Sequence, residues 1–316
     1  MVRLQPYNYE RFVQADHLEF SFGGGEANVA VSLANYGLDA VYVTKLPAHA
    51  IGQTAVNSLR RYSVDTSMIV RGGDRIGISY NEKGASQRGS VCIYDRAHSA
   101  IQESTPSEFD WDVIFKGTDW FHFTGITPAL GPNMVDACRD ACKAAKAHGV
   151  RISCDLNYRG KLWSRQQARE AITDLCQYVD VCISNEEDAK DVFGIEAEAT
   201  DIYAGEINRE GYKSVARQLA DRFGFEKVAI TLRESRSASD NGWSAMLFDA
   251  VGDEYHFSKK YDLHIVDRVG GGDSFGGGLI YALLAGKGNQ RAVEFAVAAS
   301  ALKHTVCLLY TSDAAD

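Results

Sequence analysis

The feature that most constrains the fold of this chain is a regular alternation between short apolar runs and helical patterns. Strand-like runs occupy residues 40–44, 120–123, 150–154, 179–184 and 227–231, and helical patterns occupy residues 26–36, 133–148, 164–178 and 211–223. Strands that alternate with helices are typical of a mostly parallel sheet with helices on both faces. The sequence therefore predicts an α/β fold.

Three segments depart from this alternation and predict antiparallel structure. Residues 12–22, and residues 75–81 with 90–96 around the turn-rich residues 83–89, have side chains that alternate in character as in a β-hairpin. A small antiparallel sheet outside the main sheet is a candidate lid. Residues 243–249 and 254–258 predict a second hairpin, which turns at Gly252 and Asp253.

Composition and charge narrow the class of protein. The 316 residues carry 33 Lys and Arg against 42 Asp and Glu, a formal charge of −9, which argues against nucleic-acid or anionic-membrane partners. The seven cysteines form no C-x-x-C pair and have apolar neighbours, so we expect buried, reduced thiols. Since the sequence has no signal-peptide pattern and no apolar run of membrane-spanning length, we expect a cytoplasmic enzyme.

The sequence VDRVGGGDSF at residues 266–275 carries the strongest chemical signal. An apolar strand is predicted to end at Asp267, and a helix is predicted to begin near Asp273. Glycines at a helix start let main-chain N–H groups converge on an anion, where the helix dipole also favours negative charge. A carboxylate beside such an anion site can take a proton from a hydroxyl, which is what phosphoryl transfer to an alcohol requires. The alternative is that Asp273 is an N-cap after a glycine turn.

Other nucleotide and catalytic motifs do not match. No Walker A sequence and no protein-kinase signature occurs. The sequence GDSFG at residues 272–276 does match the nucleophile elbow of α/β hydrolases, with Ser274 as nucleophile. The remaining triad members would have to be Glu294 and His304, and too little chain follows Ser274 for the strands that normally carry them.

Four ordered motifs resemble one known family. The sequences GGGEAN at residues 23–28 and DRVGGGDSF at residues 267–275 resemble the paired signatures of the PfkB (ribokinase-like) carbohydrate kinases. The sequences DLNYRGKLW at residues 155–163 and YDR at residues 94–96 narrow the resemblance to 2-keto-3-deoxygluconate (2-dehydro-3-deoxygluconate) kinases. The resemblance implies a ribokinase-like three-layer α/β/α sandwich with a small β-sheet lid. It implies one domain over residues 1–305, with lid strands near residues 7–22 and 75–98.

The resemblance also implies an activity and a set of site residues. The activity is ATP-dependent phosphorylation of 2-keto-3-deoxygluconate to 2-keto-3-deoxy-6-phosphogluconate, with ATP and Mg²⁺ as cofactors. Asp273 would be the catalytic base, and the main-chain amides of residues 270–273 would form the anion hole, which includes Gly270, Gly271 and Gly272. The residues implied to bind the substrate are Gly24, Asn28, Tyr80, Tyr94, Arg96 and Arg159.

Strand geometry and side-chain chemistry support part of this set. Tyr94 and Arg96 are two residues apart on one predicted strand and therefore share a face, and we expect Tyr80 to meet them from the partner strand. Arg159 follows a strand end and offers a planar, bidentate partner for a carboxylate. Taken singly, the tyrosines could simply pack across a hairpin, and Arg159 could be a solvated loop charge.

The nucleotide side of the site is implied by two further segments. Asn185 and Asp188 match positions that the family uses for Mg²⁺ and its water shell, although an Asn followed by an acid three residues later is also a helix-capping pattern. Thr231, Arg233 and Ser235 follow the predicted strand at residues 227–231 and match the nucleotide-binding segment. Arg233 could reach a phosphate or simply solvent.

Two alternatives and one assembly expectation remain open from the sequence. A sibling kinase for a neutral sugar, of the fructokinase or ribokinase type, has the same motifs. Residues 306–316 do not match the family pattern that follows residue 305, so we also consider a catalytically impaired, sugar-binding member. The exposed edges and aromatic side chains expected in the lid suggest a homo-oligomer that assembles through the β-lid.

Overall fold

The predicted alternation of strands and helices is present in the structure, a computed structural model that describes residues 1–185, 187–196 and 209–307. The strands are β1 (Val2–Gln5), β2 (Glu19–Phe22), β3 (Lys45–Leu46), β4 (Val70–Arg71), β5 (Ile78–Glu82), β6 (Val91–Asp95), β7 (Trp120–Thr124), β8 (Arg151–Asp155), β9 (Val181–Ser184), β10 (Lys227–Ser235), β11 (Asp240–Asp249), β12 (Glu254–Phe257) and β13 (Tyr261–His264). The helices are α1 (Gly25–Asn35), α2 (Ala50–Arg60), α3 (Trp111–Phe115), α4 (Pro132–Ala147), α5 (Arg165–Cys176), α6 (Arg209–Phe223), α7 (Gly271–Leu284) and α8 (Asn289–His304).

The main sheet has the strand order β12-β11-β10-β9-β8-β7, with β13 also paired to β11. Strands β7 to β10 are parallel to one another, as predicted. Strand β11 runs antiparallel to β10 and to both β12 and β13, so one side of the sheet is antiparallel. The hairpin predicted at residues 243–258 is the β11–β12 pair. The four parallel strands align their carboxyl ends at one edge of the sheet.

Alternate residues of the central strands pack against helices on opposite sides of the sheet. On one face, Val228 and Ile230 of β10 join a core cluster with residues of α4, α5 and α6. On the other face, Ala229 of β10 and Ile183 of β9 join a cluster with residues of α7 and α8. Because successive side chains of a strand point to opposite faces, both faces are buried. The three-layer α/β/α sandwich is confirmed.

The lid is a second sheet with the strand order β2-β1-β5-β6. Strand β1 pairs antiparallel with β2 and parallel with β5, and β5 pairs antiparallel with β6. The predicted lid hairpin is therefore present, but the prediction was incomplete, since it did not include β1. Only Glu19–Phe22 of the expected 7–22 segment is a strand, and β1 is inserted between it and the hairpin.

Two predicted strand boundaries were wrong. Residues 40–44 form no regular strand; a bridge from Val41 to Asp65 precedes the short strand β3, and Val41 is half exposed at the surface rather than buried. The strand expected to end at Asp267 ends at His264. It ends early because the amides of Val266 and Asp267 donate to the carbonyl of His304 at the end of α8 instead of to a strand.

The cysteine prediction agrees with the structure. Five of the thiols are buried, namely those of Cys138, Cys142, Cys154, Cys176 and Cys182, and all seven are free. Burial raises the pKa of these five thiols above the ordinary value, which keeps them protonated. Among the described helices, none has both the length and the apolar character that a membrane span requires. Residues 308–316, most of the atypical C-terminal segment, lie outside the described residues.

Candidate active site

A cavity of about 450 Å³ lies between the lid and the carboxyl edge of the parallel strands. Five parts of the chain contribute to its lining. They are the lid (Ser79, Tyr94, Arg96), the end of β8 and the segment after it (Asp155, Asn157, Arg159), α1 (Asn28), β10 (Thr231, Arg233) and the glycine loop with the first turn of α7 (Gly270, Gly272, Asp273). Most residues implied by the four sequence motifs therefore meet in one place.

Asp273 lies in the first turn of α7 and faces α1. The Nδ2 of Asn28 donates to its Oδ2 at 2.6 Å. Burial raises the pKa of Asp273 to about 6, although the hydrogen bond from Asn28 and the charge of Arg159 oppose that rise. A carboxylate with this pKa is ionised at neutral pH but is a much better proton acceptor than an exposed aspartate.

The glycines before α7 have different roles. Gly270 adopts φ 86°, a left-handed conformation that favours glycine. A Cβ on Gly271 would stand 2.4 Å from Cε1 of His304, so Gly271 permits close packing against that ring and does not line the cavity. Gly272 has open space in front of it. Among the described residues, no carbonyl accepts from the amides of Gly272 and Asp273, which leaves them available for an anion at the positive end of α7.

The N-terminus of α1 converges on the same point. A Cβ on Gly25 would lie 3.5 Å from Oδ1 of Asp273, and one on Gly277 of α7 would lie 2.6 Å from the Cβ of Ser32 on α1. The two helices therefore pack closely because glycine faces the partner helix. Gly24 lines the cavity next to this contact. The first glycine motif thus places Asn28 against the catalytic candidate Asp273.

Tyr94 and Arg96 extend from the lid over the cavity. The guanidinium of Arg96 lies 4.4 Å from the centre of the Tyr94 ring. Burial raises the pKa of the Tyr94 hydroxyl, while Arg159 acts in the opposite direction, so Arg159 is close enough to interact with the lid. These three side chains line the lid end of the cavity, which the sequence resemblance predicts to bind the sugar.

The expected position of Tyr80 was wrong. In the observed register Tyr80 pairs with Ile93, whereas Tyr94 pairs with Ser79. Directly paired residues of an antiparallel sheet share a face, so Tyr80 points away from Tyr94 and the cavity. Its ring instead packs edge-on against Phe12, with 6.4 Å between the centroids. A shift of one residue in register is enough to move a side chain to the other face.

Asp155 is a cavity residue that was not predicted from the sequence, although it is the first residue of the DLNYRGKLW motif. It is the last residue of β8. Burial, then the nearby charges of Asp188 and Asp273, raise its pKa well above the ordinary value, and Arg159 opposes them. A polar residue at the carboxyl end of a buried parallel strand was the available signal.

The proposed magnesium residues are used within their own loop. The Oδ1 of Asn185 accepts from the amides of Glu187 and Asp188. The carboxylate of Asp188 accepts from the amides of Tyr158 at 3.1 Å and Asn185 at 3.4 Å. Asn185 lines the cavity but Asp188 does not. The described residues also contain no cluster of three metal-liganding side chains, so they offer no direct metal site at this pair, and a water-mediated role of Asn185 and Asp188 stays a prediction.

The three candidate nucleotide residues are divided between the cavity and the surface. Thr231 and Arg233 lie within β10 and line the cavity, whereas Ser235, the last residue of β10, is exposed and lies outside the lining. The strand therefore continues to Ser235 instead of ending at residue 231 as predicted. Arg268, which sequence reasoning did not select, lines the same region and donates to the carbonyl of Ala238 at 2.7 Å. Nothing in the sequence marked Arg268 as a site residue, because it simply follows Asp267 in the loop.

The arrangement around Ser274 does not support a hydrolase. Ser274 is completely buried, and its Oγ has no hydrogen-bond partner among the described residues. His304 bonds instead to the carbonyl of Ser300 at 2.6 Å, and Glu294 accepts from the amide of Lys259. The three residues therefore form no nucleophile–base–acid relay.

One buried ion pair joins the lid to the glycine loop. The Nη2 of Arg3 on β1 donates to the Oδ2 of Asp267 at 3.0 Å, and both side chains are 2% exposed. The Oδ1 of Asp267 accepts from the amide of Val269 inside the loop. Nothing in the sequence predicts this pair, because its members are 264 residues apart and neither stands in a recognisable charge pattern.

Comparisons with known proteins agree with this geometry. A family model described as pfkB family carbohydrate kinase matches residues 1–311. A 2-dehydro-3-deoxygalactonokinase of Haloferax volcanii is 32% identical over 97% of this chain and 89% of its own. A 2-dehydro-3-deoxygluconokinase of Bacillus subtilis is 29% identical over 89% of this chain and 79% of its own. The solved structure of 2-dehydro-3-deoxygluconokinase from Thermotoga maritima is 49% identical, with a TM-score of 0.93 over 98% of this chain and 92% of that one.

Proposed function

Because this chain belongs to the pfkB family of carbohydrate kinases, we propose that it transfers the γ-phosphoryl group of ATP to 2-keto-3-deoxygluconate. The product is 2-keto-3-deoxy-6-phosphogluconate. The observation that carries the proposal is Asp273, a buried carboxylate at the start of α7, facing arginines in the same cavity. The Thermotoga maritima and Bacillus subtilis relatives, both named as 2-dehydro-3-deoxygluconokinases, support the choice of substrate.

Asp273 is the base in this mechanism. The terminal hydroxyl of the sugar acid lies against Oδ1 or Oδ2 of Asp273 and gives up its proton as its oxygen attacks the γ-phosphorus. Asn28 donates to Oδ2 at 2.6 Å and so holds the carboxylate in place. The raised pKa of Asp273, about 6, brings its proton affinity closer to what this transfer needs.

The start of α7 stabilises the charge that develops on the transferred group. Gly272 and Asp273 line the cavity, and their amides lie at the positive end of a 14-residue helix. Because these donors are fixed before the reaction begins, no reorganisation is needed as charge develops. Gly270 and Gly272 let the phosphoryl group approach the main chain closely.

The sugar end recognises a carboxylate in this proposal. Arg159 and Arg96 both line the cavity, in a protein whose overall charge is negative. An arginine presents two parallel N–H donors to a carboxylate, and such charge-assisted bonds are stronger than neutral ones. The ring of Tyr94 lies beneath Arg96 and limits its movement.

ATP occupies the opposite end of the cavity in the proposal, near Thr231, Arg233 and Arg268. Mg²⁺ would arrive bound to the nucleotide phosphates. Since Asn185 and Asp188 satisfy amides of their own loop and of Tyr158, we assign no catalytic step to a protein-bound metal.

A second candidate substrate is the epimeric acid 2-keto-3-deoxygalactonate, because the Haloferax volcanii relative is named as its kinase. Both acids would place a carboxylate at Arg159. Neutral sugars such as fructose or ribose would leave that arginine without its partner, which disfavours the sibling sugar kinases.

The test is an ADP-release assay with ATP and Mg²⁺ over a panel of sugars. The panel contains both 2-keto-3-deoxy acids, fructose, ribose and gluconate. We expect turnover with one or both 2-keto-3-deoxy acids and a kcat/KM at least about 100-fold lower for the neutral sugars. Equal turnover of fructose or ribose would contradict the sugar-acid assignment, and substrate-induced thermal stabilisation without ADP would indicate an impaired member.

The assembly proposal is a homodimer formed through the lid. One row across the outer face of the lid contains Phe20, Leu4, Tyr80 and Ile93 in register. Phe20 and Ile93 are 54% and 52% exposed, so this face offers apolar surface to a second copy. Light scattering on the wild-type protein and on Ile93→Lys tests it: a dimer that the substitution converts to monomer supports the proposal, and a wild-type monomer contradicts it.

A further inference from the structure

The most unusual charged residue outside the proposed mechanism is Lys303, in the last turn of α8. It is fully buried. Its Nζ donates to the carbonyl of Asp267 at 3.4 Å and to the carbonyl of Val306 at 3.1 Å. A buried ammonium is costly unless nearby acceptors and charges compensate for lost water. Such a group is therefore expected to have a definite role.

Lys303 lies directly behind the glycine loop. At the point where a Cβ on Gly270 would stand, Cε of Lys303 is 3.4 Å away, Nδ2 of Asn28 is 3.6 Å away and Oδ2 of Asp273 is 3.9 Å away. The lysine, the base and the residue that holds the base thus surround one glycine of the anion site. Lys303 approaches this glycine from α8, behind the start of α7.

The end of α8 supports the loop at several points. The Oγ of Ser300 donates to the carbonyl of Gly271 at 2.7 Å, and the carbonyl of His304 accepts from the amide of Val266 at 2.8 Å. The ring of His304 fills the space that a Cβ on Gly271 would need. Of the three α8 residues Ser300, Lys303 and His304, Lys303 supplies the one cationic side chain.

Lys303 is surrounded by charges of both signs. Asp267 is paired with Arg3, while Asp273 has no such arginine in hydrogen-bond contact and interacts with Lys303 and Arg159 at longer range. Burial lowers the pKa of Lys303, and Asp267 and Asp273 oppose this change, whereas Arg3 reinforces it. Without Lys303, the loop would present excess negative charge where the phosphates of the nucleotide must approach.

We propose that Lys303 is a positioning residue for phosphoryl transfer: its ammonium holds the carbonyls of Asp267 and Val306, fixes residues 267–270 behind the anion site and supplies a positive charge there. This inference deepens the proposed kinase function and rests on it. Lys303 does not touch the substrate in this account. It acts on the reaction through the glycine loop and through its field at Asp273.

Two substitutions separate charge from packing. Lys303→Met keeps the aliphatic stem and removes the ammonium, and Lys303→Gln keeps an N–H₂ donor for the same carbonyls. Lys287→Met is the matched control, because Lys287 is exposed on the turn between α7 and α8. We expect both Lys303 variants to lower kcat by about 10- to 100-fold, with the KM for the sugar acid within about threefold of wild type. Lys287→Met should match wild type.

Chemical rescue identifies the role of the charge. In potassium-free buffer, about 0.1 M ammonium chloride should raise the kcat of Lys303→Met about tenfold, because an ammonium ion can occupy the space between the two carbonyls. Tetramethylammonium chloride at the same ionic strength should not, since it has no N–H donors. Wild type and Lys287→Met should respond to neither salt beyond the effect of ionic strength.

Several results would overturn the inference. One is a kcat of either folded Lys303 variant within about twofold of wild type. Another is a lowered kcat in Lys303→Met, at an unchanged thermal midpoint, that ammonium fails to raise. If Lys303→Met does not fold, Lys303→Gln decides the question, because its side chain can still bind the carbonyls.

A binding measurement separates this inference from the substrate assignment. Calorimetry with ADP and aluminium fluoride, which mimics the transferred phosphoryl group, requires no knowledge of the sugar. We expect Lys303→Met to bind this combination about tenfold more weakly than wild type while binding ADP alone equally well. If the substitution leaves the glycine loop unaffected, Lys303→Met will bind ADP alone and ADP with aluminium fluoride as tightly as wild type does. Wild type that releases no ADP with any sugar acid would refute the proposed function without deciding this result.

Discussion

The two ends of the active-site cavity are built in different ways. The phosphoryl end comes mainly from one stretch of chain, residues 266–304, which supplies main-chain amides, glycines and the end of α8, while β10 adds Thr231 and Arg233. The sugar end is assembled from side chains of the lid, of the segment after β8 and of α1, which are far apart in sequence. Local sequence determines the first end, whereas the second depends on how distant strands pair and in which register.

The ends are joined at two places. Asn28 of α1 donates to Asp273, so a residue of the first glycine motif orients the proposed base. Arg3 of the lid is ion-paired with Asp267 of the glycine loop in a fully buried setting. The position of the lid is thereby tied to the geometry of the anion site, and substitutions can show how far each end depends on the other.

The largest effect is expected at the base. Asp273→Asn removes the proton acceptor and keeps the size of the side chain, so we expect kcat to fall by about 10²- to 10⁴-fold. ADP release under saturating sugar acid and ATP measures it. Ser274→Ala is the neighbouring control and should retain kcat within a few-fold. The opposite pattern, with Ser274 essential and Asp273 dispensable, would instead favour hydrolase chemistry.

The next effect concerns the ion pair between the two ends. Arg3→Met leaves Asp267 buried without its partner, and breaking a buried pair in this way destabilises a protein by about 3–5 kcal/mol. Urea unfolding followed by circular dichroism measures the loss. Arg236→Met is the control, because Arg236 forms an exposed pair with Asp262 and should change stability far less. Equal small effects of the two variants would mean that the lid and loop are not coupled through Arg3.

The third effect belongs to the sugar end alone. Arg159→Ala should raise the KM for the sugar acid by about 10- to 100-fold, since a hydrogen bond to a charged group contributes about 1.5–3 kcal/mol, with little change in kcat. Steady-state ADP release gives both constants. Arg165→Ala, an exposed arginine paired with Asp191, is the matched control. An unchanged KM in Arg159→Ala would remove the basis of the sugar-acid assignment.

Lowering the pH is expected to reduce activity gradually, because the proposed base at the phosphoryl end becomes protonated. The base must be deprotonated, and burial raises the pKa of Asp273 to about 6 from the ordinary 3.8. Therefore kcat/KM should be constant above about pH 7 and fall about tenfold for each pH unit below 6. A pH profile of the free enzyme's kcat/KM measures this limb. An acid limb centred near pH 4 would mean that Asp273 is not the group that titrates.

The phosphoryl end could be predicted because its signal is local. The glycines of residues 270–272 predict a helix start and a close approach of other groups to the main chain, and the structure has both at α7. The layers of the sandwich were predictable for the same reason, since strand and helix periodicities follow from neighbouring residues. Lys303 also had a local signal: it falls on the buried stripe of α8 with Ala296 and Ser300.

What could not be predicted depends on long-range pairing. The Arg3–Asp267 pair joins residues 264 positions apart, and the insertion of β1 into the lid depends on a parallel pairing with β5. The sequence is equally consistent with a capping role and with a metal role for Asp188; its contacts with the amides of Tyr158 and Asn185 show a role in loop structure, and the metal role stays a prediction. Hydrophobic alternation gives each lid strand two faces but does not fix the register between strands.

The smallest effect is expected at Tyr80, which was wrongly predicted to lie on the cavity face of the lid. Tyr80→Ala removes a ring from the outer face of the lid, opposite the cavity, so we expect the KM for the sugar acid to remain within about twofold of wild type. Tyr94→Ala, on the inner face, should raise that KM several-fold more, because Arg96 loses the ring beneath it. Steady-state ADP release compares the two variants, and light scattering detects any change of assembly in Tyr80→Ala. If Tyr80→Ala raises the KM as much as Tyr94→Ala while the assembly is unchanged, both faces of the lid act on the sugar. The contrast between the two ends of the cavity would then need revision.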